Sequence, residues 1–144
     1  MNGVESALDF FAAMAIFSPL ALAFFMLLAF VFQLKLPEKI IALVVELSVF
    51  IALAGIIGLV LLFLSNGVTK WGYEPFPTFH LESFHFDFQF YFDWLSLSFA
   101  TLALVLCFVI AFFSQRYMHR EPGYQRFFVL YSIFVSGIVI ASLS

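Results

Sequence analysis

Ile40-Ile41-Ala42-Leu43-Val44-Val45-Glu46-Leu47-Ser48-Val49-Phe50-Ile51-Ala52-Leu53-Ala54-Gly55-Ile56-Ile57-Gly58-Leu59-Val60-Leu61-Leu62-Phe63-Leu64 contains a single charged residue, Glu46. As a helix rising about 1.5 Å per residue, a stretch of this length exceeds the roughly 30 Å hydrocarbon core of a bilayer. Its ends are marked. Before it stands Leu34-Lys35-Leu36-Pro37-Glu38-Lys39, with Pro37 suited to a first helical turn, where its missing N–H costs nothing. After it stands Ser65-Asn66-Gly67, a helix stop, because glycine accepts positive φ. The reading is a membrane span over Ile40 to Leu64.

The rest of the chain agrees. Of its 144 residues, 65% are hydrophobic and 10% charged, against about 45–50% and about 25% in soluble domains. A soluble domain of this size could not hide so much apolar surface, and disorder requires the opposite composition. One cysteine, Cys107, excludes a disulfide framework. Three further spans are predicted: Leu8 to Leu34, Leu95 to Ser114, and Phe127 to Ser144. The first has no basic residue before it and is longer than a signal-peptide core; Pro19 predicts a bend near Phe17–Pro19. The fourth, with about 17 residues, is at the lower limit for crossing.

Between spans two and three, Phe84, Phe86, Phe88, Phe90 and Phe92 alternate with His85, Asp87, Gln89, Tyr91 and Asp93. A period of two predicts a half-buried strand. The stretch Phe76 to Leu81 is its expected hairpin partner, with a phase slip near Glu82-Ser83. An isolated hairpin is marginal in water, so the phenylalanine face should rest on helices or on another subunit. Asp93 is the expected N-cap of span three. The fold class is therefore an all-α membrane protein of four transmembrane helices with a small extracytoplasmic β-hairpin between helices two and three. Its parts are residues 1–67 (spans one and two), 68–93 (the hairpin segment) and 94–144 (spans three and four).

Lys35, Lys39, Arg116, Arg120 and Arg126 fall in the breaks after spans one and three, and Lys70 alone falls on the other side. The positive-inside rule places the basic breaks in the cytoplasm and both termini outside, in an inner (plasma) membrane. Net charge is −3 with no basic run, so no nucleic-acid partner is expected. Glu46 is the candidate intramembrane ionisable residue, since a carboxylate at that depth is costly and often marks an ion path. The plain alternative is snorkelling or pairing with Lys39, two turns away. His80 and His85, five apart on one strand, are expected on opposite faces, too few and too divided for a closed zinc site. His119 and Cys107 read as a solvated polar residue and a small buried hydrophobe. No catalytic, cofactor or metal site is expected. Ala54-xxx-Gly58 and Gly137-xxx-Ala141 have the spacing that lets helices approach closely.

Phe90-Tyr91-Phe92-Asp93-Trp94-Leu95-Ser96-Leu97-Ser98-Phe99, followed by Arg116-Tyr117-Met118-His119-Arg120-Glu121-Pro122-Gly123-Tyr124-Gln125-Arg126-Phe127-Phe128, resembles the N-terminal part of the antiporter-like membrane subunits of respiratory complex I, chain-five type. Relatives occur in multi-subunit cation/proton antiporters, membrane-bound hydrogenases and an energy-coupled inorganic-carbon uptake system. The resemblance covers Phe84 to Ser144. It rests on Asp93, Leu95 and Ser96 leading into a helix, then Tyr117 in a basic loop, and Arg126 followed by Phe127. It implies a proton- or sodium-translocating complex. The family's translocating residues lie on later helices, so none is carried over to this chain. The expected role is an accessory subunit completing a split antiporter-like core, whose remaining helices come from a larger membrane chain, with a soluble partner on the cytoplasmic side. Cation-coupled bicarbonate or CO2 uptake is the first expectation. A complex I-like or hydrogenase-like redox-driven pump is one alternative, and an independent self-associating carrier using Glu46 is another.

Overall fold

The computed structural model describes residues 2–75, 79–81, 84–86 and 89–144. In order they form α1 (Asn2–Val31), α2 (Glu38–Asn66), β1 (Lys70–Tyr73), β2 (Phe79–Leu81), β3 (Phe84–Phe86), β4 (Phe90–Asp93), α3 (Trp94–Tyr117) and α4 (Tyr124–Leu143). All four helices are long and apolar enough to cross a membrane. Consecutive helices pack side by side and α4 closes back on α1, giving a four-helix bundle. Its core runs through Leu8, Ile16 and Met26 of α1, Val45, Ile56 and Phe63 of α2, Leu97 and Leu104 of α3, and Phe128 and Val135 of α4. Large apolar side chains also cover the outside: Phe24, Leu43, Phe50, Phe99, Phe113 and Leu130 are each more than half exposed or close to two-thirds exposed. Helices apolar all round are at rest in lipid and not in water.

The helix ends explain where the expected bounds shift. Helix α1 begins at Asn2, with Glu5 in its first turn where a carboxylate opposes the positive end of the helix dipole. It stops at Val31 and not at Leu34. Gln33 adopts a left-handed φ of 53°; its N–H donates to Phe30 O at 3.1 Å, and that of Leu34 donates to Ala29 O at 2.9 Å. This paired closure is normally a glycine device, so nothing apolar or flexible in the local sequence announces it. Pro19 lies inside α1, which continues through it as one helix. Pro37 is the N-cap of α2 and not a first-turn residue. Gly67 ends α2 at φ 64°, as expected.

Helix α4 starts at Tyr124, three residues before Phe127, and has 20 residues. At about 1.5 Å each these reach roughly 30 Å, a full span. Gly123, at φ 102°, turns the chain so that its carbonyl accepts from Phe127 N–H at 3.0 Å. Gln125 and Arg126 thus belong to the first helical turn, although their polarity reads as loop.

The segment between α2 and α3 holds two antiparallel pairs. Phe79–Leu81 pairs with Phe84–Phe86, the expected hairpin. Lys70–Tyr73 pairs with Phe90–Asp93, a pairing not anticipated, because its first strand is short, contains Gly72 and shows no clean alternation. Residues 76–78, 82–83 and 87–88 lie outside the described residues, and with them part of the expected partner strand, its phase slip and the middle of the alternating run. Within β4 the alternation holds: Phe90 and Phe92 are buried, and Tyr91 is exposed. β4 rests on α3 and α4, so this part of the phenylalanine face is covered by the chain's own helices.

Candidate functional site

The motif residues do not converge. Asp93, Leu95 and Ser96 lie at one end of the bundle; Tyr117, Arg126 and Phe127 lie at the other. Asp93 and Ser96 form a capping box: Ser96 N–H donates to Asp93 Oδ1 at 2.7 Å, and Asp93 N–H donates to Ser96 Oγ at 2.9 Å. Ser96, through its N–H first and then its side chain, and the nearby Lys70 charge hold the Asp93 carboxyl below its usual range. The pairing therefore starts a helix where a strand must turn into the membrane. Leu95, two positions after the cap, is 79% exposed and faces away from the core. At the far end Tyr117 is almost fully exposed, while the Phe127 ring lies parallel to Tyr131, 6.5 Å between centroids.

The end with the hairpin is tied together by Trp71, whose Nε1 donates to Asp9 Oδ1 at 3.3 Å. Burial and then the Asp9 charge push the neighbouring Tyr73 hydroxyl to a higher pKa. Asp9 thus has a structural task at the span edge.

The opposite end joins the two basic breaks. Glu38 Oε2 meets His119 Nδ1 at 2.9 Å, and Glu38 Oε1 accepts Arg120 N–H at 3.1 Å. Gln125 donates to Leu34 O at 3.0 Å and Gln115 to Ala42 O at 3.2 Å. His119, expected to be a plain polar residue, closes the α1–α2 break onto the α3–α4 break. A cavity of about 380 Å³ sits there, lined by Glu38, Lys39, Ala42, Gln115, Arg116, His119 and Tyr124.

Glu46 lies one turn beyond Ala42 and lines an open groove of about 270 Å³ with Leu43, Leu47, Phe50 and Phe108. Among the described residues it makes no hydrogen bond or ion pair, and Lys39 is not its partner. A charge relay within the bundle would need a second ionisable group beside it, and α2 offers none between Glu46 and Asn66.

The bundle interior is joined by hydroxyls. Ser18 Oγ donates to Ser48 O at 2.8 Å and Ser48 Oγ to Ser18 O at 2.9 Å, linking α1 to α2. Ser136 Oγ donates to Pro19 O at 2.8 Å, linking α4 to α1. The Tyr131 hydroxyl donates to Cys107 O, linking α4 to α3. Sequence reading passed over these residues; their recurrence among apolar neighbours was the available signal. Of the small residues it named, Gly58 does face a neighbouring helix, but Gly137 does not, and Gly55 was missed. A Cβ on Gly55 would stand 2.9 Å from Phe11 O, and one on Gly58 would stand 2.6 Å from the Phe11 ring, whereas Gly137 faces open space. The close approach is therefore Gly55-xx-Gly58 against α1, and Gly137-xxx-Ala141 is no helix contact.

Among the described residues no group of three or more metal-ligating side chains occurs. The strand register corrects one step of the sequence argument: His80 is directly opposite His85 across β2 and β3. The two histidines sit on separate, paired strands, so counting along a single strand misplaced them.

Comparison with known proteins bears out the resemblance. Residues 79–128 match the family described as NADH-ubiquinone oxidoreductase (complex I), chain 5 N-terminus. NADH-ubiquinone oxidoreductase chain 5 of Anopheles quadriannulatus is 31% identical over 64 residues, covering 44% of this chain and 24% of that protein. The chain 5 proteins of Anopheles arabiensis and Anopheles gambiae match over the same length at 31% identity, with 17% and 11% of their lengths covered. The alignment thus spans less than a quarter of each relative's length. The matched stretch runs from β2 through the capping box and α3 into the first turns of α4.

Proposed function

We propose that this chain forms a structural part of an antiporter-like, proton-translocating membrane core within a multi-subunit, redox-driven complex. The match of residues 79–128 to the complex I chain 5 N-terminus carries the reading. The fold supports it: a membrane bundle in which the motif pair Asp93 and Ser96 builds the start of α3, while Tyr117, Arg126 and Phe127 lie at the far end of the bundle. In this reading the proton path belongs to a larger antiporter-like chain docked on the exposed apolar faces. A soluble partner meets the basic end. The complex lies in the inner membrane, with the basic breaks on the cytoplasmic side and the hairpin outside.

The relatives bear the name of an oxidoreductase, and this favours a redox-driven pump over the inorganic-carbon uptake expected from sequence, which no comparison supports. Affinity purification of the tagged chain in mild detergent should bring down a larger antiporter-like membrane chain in fixed ratio. Its deletion should lower NADH-driven proton uptake by inverted membrane vesicles. Purification as a lone chain, or undiminished pumping without it, overturns the proposal.

A second reading is favoured by one observation: Glu46 lines an apolar groove and, among the described residues, makes no hydrogen bond or ion pair. There the chain alone self-associates and moves cations through Glu46. Proteoliposomes of the purified chain should then show a flux that Glu46→Gln abolishes; absence of flux removes this reading.

A further inference from the structure

We propose that the groove between α2 and α3 at the basic end is a binding site for one anionic phospholipid, with its phosphate held between Lys39 and Arg116. The inference stands apart from the translocation reading, and its test involves no transport. Two side-chain ladders define the groove. On α2, Lys39 and Leu43 are four residues apart and Leu43 and Leu47 again four; on α3, Phe108, Phe112 and Arg116 repeat at the same interval. Residues four apart share one helix face. Each ladder therefore runs from a cation at the membrane boundary to apolar side chains at lipid depth.

The two cavities follow one another along α2, with Lys39 and Ala42 lining the outer and Leu43, Glu46 and Leu47 the inner. The outer, about 380 Å³, is lined by Lys39, Gln115, Arg116 and His119. The inner, about 270 Å³, is lined by Leu43, Leu47, Phe50 and Phe108. The outer one suits a phosphate and its substituent; the inner one suits an acyl chain.

Charge favours an anion at the mouth. The carboxylate there, Glu38, is already engaged by His119 and by Arg120 N–H. Among the described residues Lys39 and Arg116 form no ion pair. Arg116 is instead poised over the Phe112 ring, 5.1 Å from its centroid, which fixes the guanidinium at the rim. Deeper in, Glu46 disfavours a second anion and leaves the negative group to the mouth. Basic pockets between transmembrane helices are a recognised setting for anionic headgroups. The exposed Leu43 and Leu47, which line the inner groove, favour a lipid over a free phosphate.

The full chain in neutral detergent would be titrated with palmitoyl-oleoyl phosphatidylglycerol and read by native mass spectrometry. Palmitoyl-oleoyl phosphatidylcholine and inorganic phosphate form separate arms. One phosphatidylglycerol should bind in preference to phosphatidylcholine, with phosphate alone not retained. Lys39→Gln and Arg116→Gln should each weaken binding roughly fivefold, and the double variant roughly 25-fold, while Lys70→Gln at the other end changes nothing. Raising salt to 1 M, where screening shortens to about 3 Å, should weaken wild-type binding and keeps the proposal testable should the double variant misfold. Equal binding of phosphatidylcholine, retention of phosphate alone, salt-insensitive binding, or full affinity in a folded double variant each overturn it.

Discussion

Replacing Gly55 by alanine tests a close backbone approach between α1 and α2. The added Cβ would lie 2.9 Å from Phe11 O, 3.0 Å from Ala15 N and 3.3 Å from Ala15 Cα, all backbone atoms of α1. Ordinary carbon contacts begin near 3.5 Å, so α1 and α2 must part by about half an ångström. No side-chain rotation relieves the clash, because the obstacles are main chain. The separation also stretches the reciprocal Ser18–Ser48 hydrogen bonds, 2.8 and 2.9 Å long, which lie two turns away on α2. Overpacking of this kind costs about 1–3 kcal/mol, partly offset by the roughly 0.5–1 kcal/mol that alanine gains over glycine in a helix. The expected net loss is about 1 kcal/mol, and at most about 2.5 kcal/mol. Gly137→Ala is the matched control: open space surrounds its added Cβ, so only the helix gain of about 0.5–1 kcal/mol applies and stability should rise. Unfolding of both variants in mixed micelles by increasing sodium dodecyl sulfate, followed by circular dichroism, gives the two midpoints. Opposite shifts are expected. A Gly55→Ala midpoint equal to or above wild type would refute the packing described for α1 and α2.

Three further outcomes are expected. The Asp93 carboxyl titrates below its unfolded value of about 3.9, so its stabilisation is complete above that value and lost as pH falls through the lower, folded one; amide exchange over residues 94–97 should accelerate in that acid window in wild type and not in Asp93→Asn. Ser136→Ala removes the bond to Pro19 O and should cost about 0.6 kcal/mol, at most about 1.7, in the same micelle titration; no change would mean that Pro19 O gains nothing from this hydroxyl. Glu38→Ala frees His119 and Arg120 N–H; because the pair is exposed, global stability should fall by no more than about 1 kcal/mol, while exchange at the Arg120 amide should rise clearly.

Some of this was legible from residues alone. The spans followed from composition and length, since a helix of apolar residues satisfies its own backbone and has no need of long-range partners in lipid. The Asp93 cap was equally local, its partner Ser96 being three residues away. The first strand pair could be read because β2 and β3 are only a few residues apart in sequence. The outer pair could not: Lys70 and Asp93, its matched ends, are distant in sequence, and four residues containing Gly72 carry no pattern strong enough to declare themselves.

The candidate site divided in the same way. Glu46 stood out in the sequence because a charge among apolar residues is conspicuous, but its isolation was decided by the bundle, which places Phe108 and not a cation across the groove. The Glu38–His119 link joins residues of two different breaks and depends on how α2 and α3 align. The choice of Gly55 and Gly58 over Gly137 depends on which face of α2 meets Phe11. What the sequence by itself determined was a membrane bundle of helices with a capped third span and basic breaks at one end, because hydropathy and caps act within a few residues. Only the tertiary structure decided which hydroxyls, glycines and charges meet, because helices apolar on every side carry no stripe to say which face turns inward.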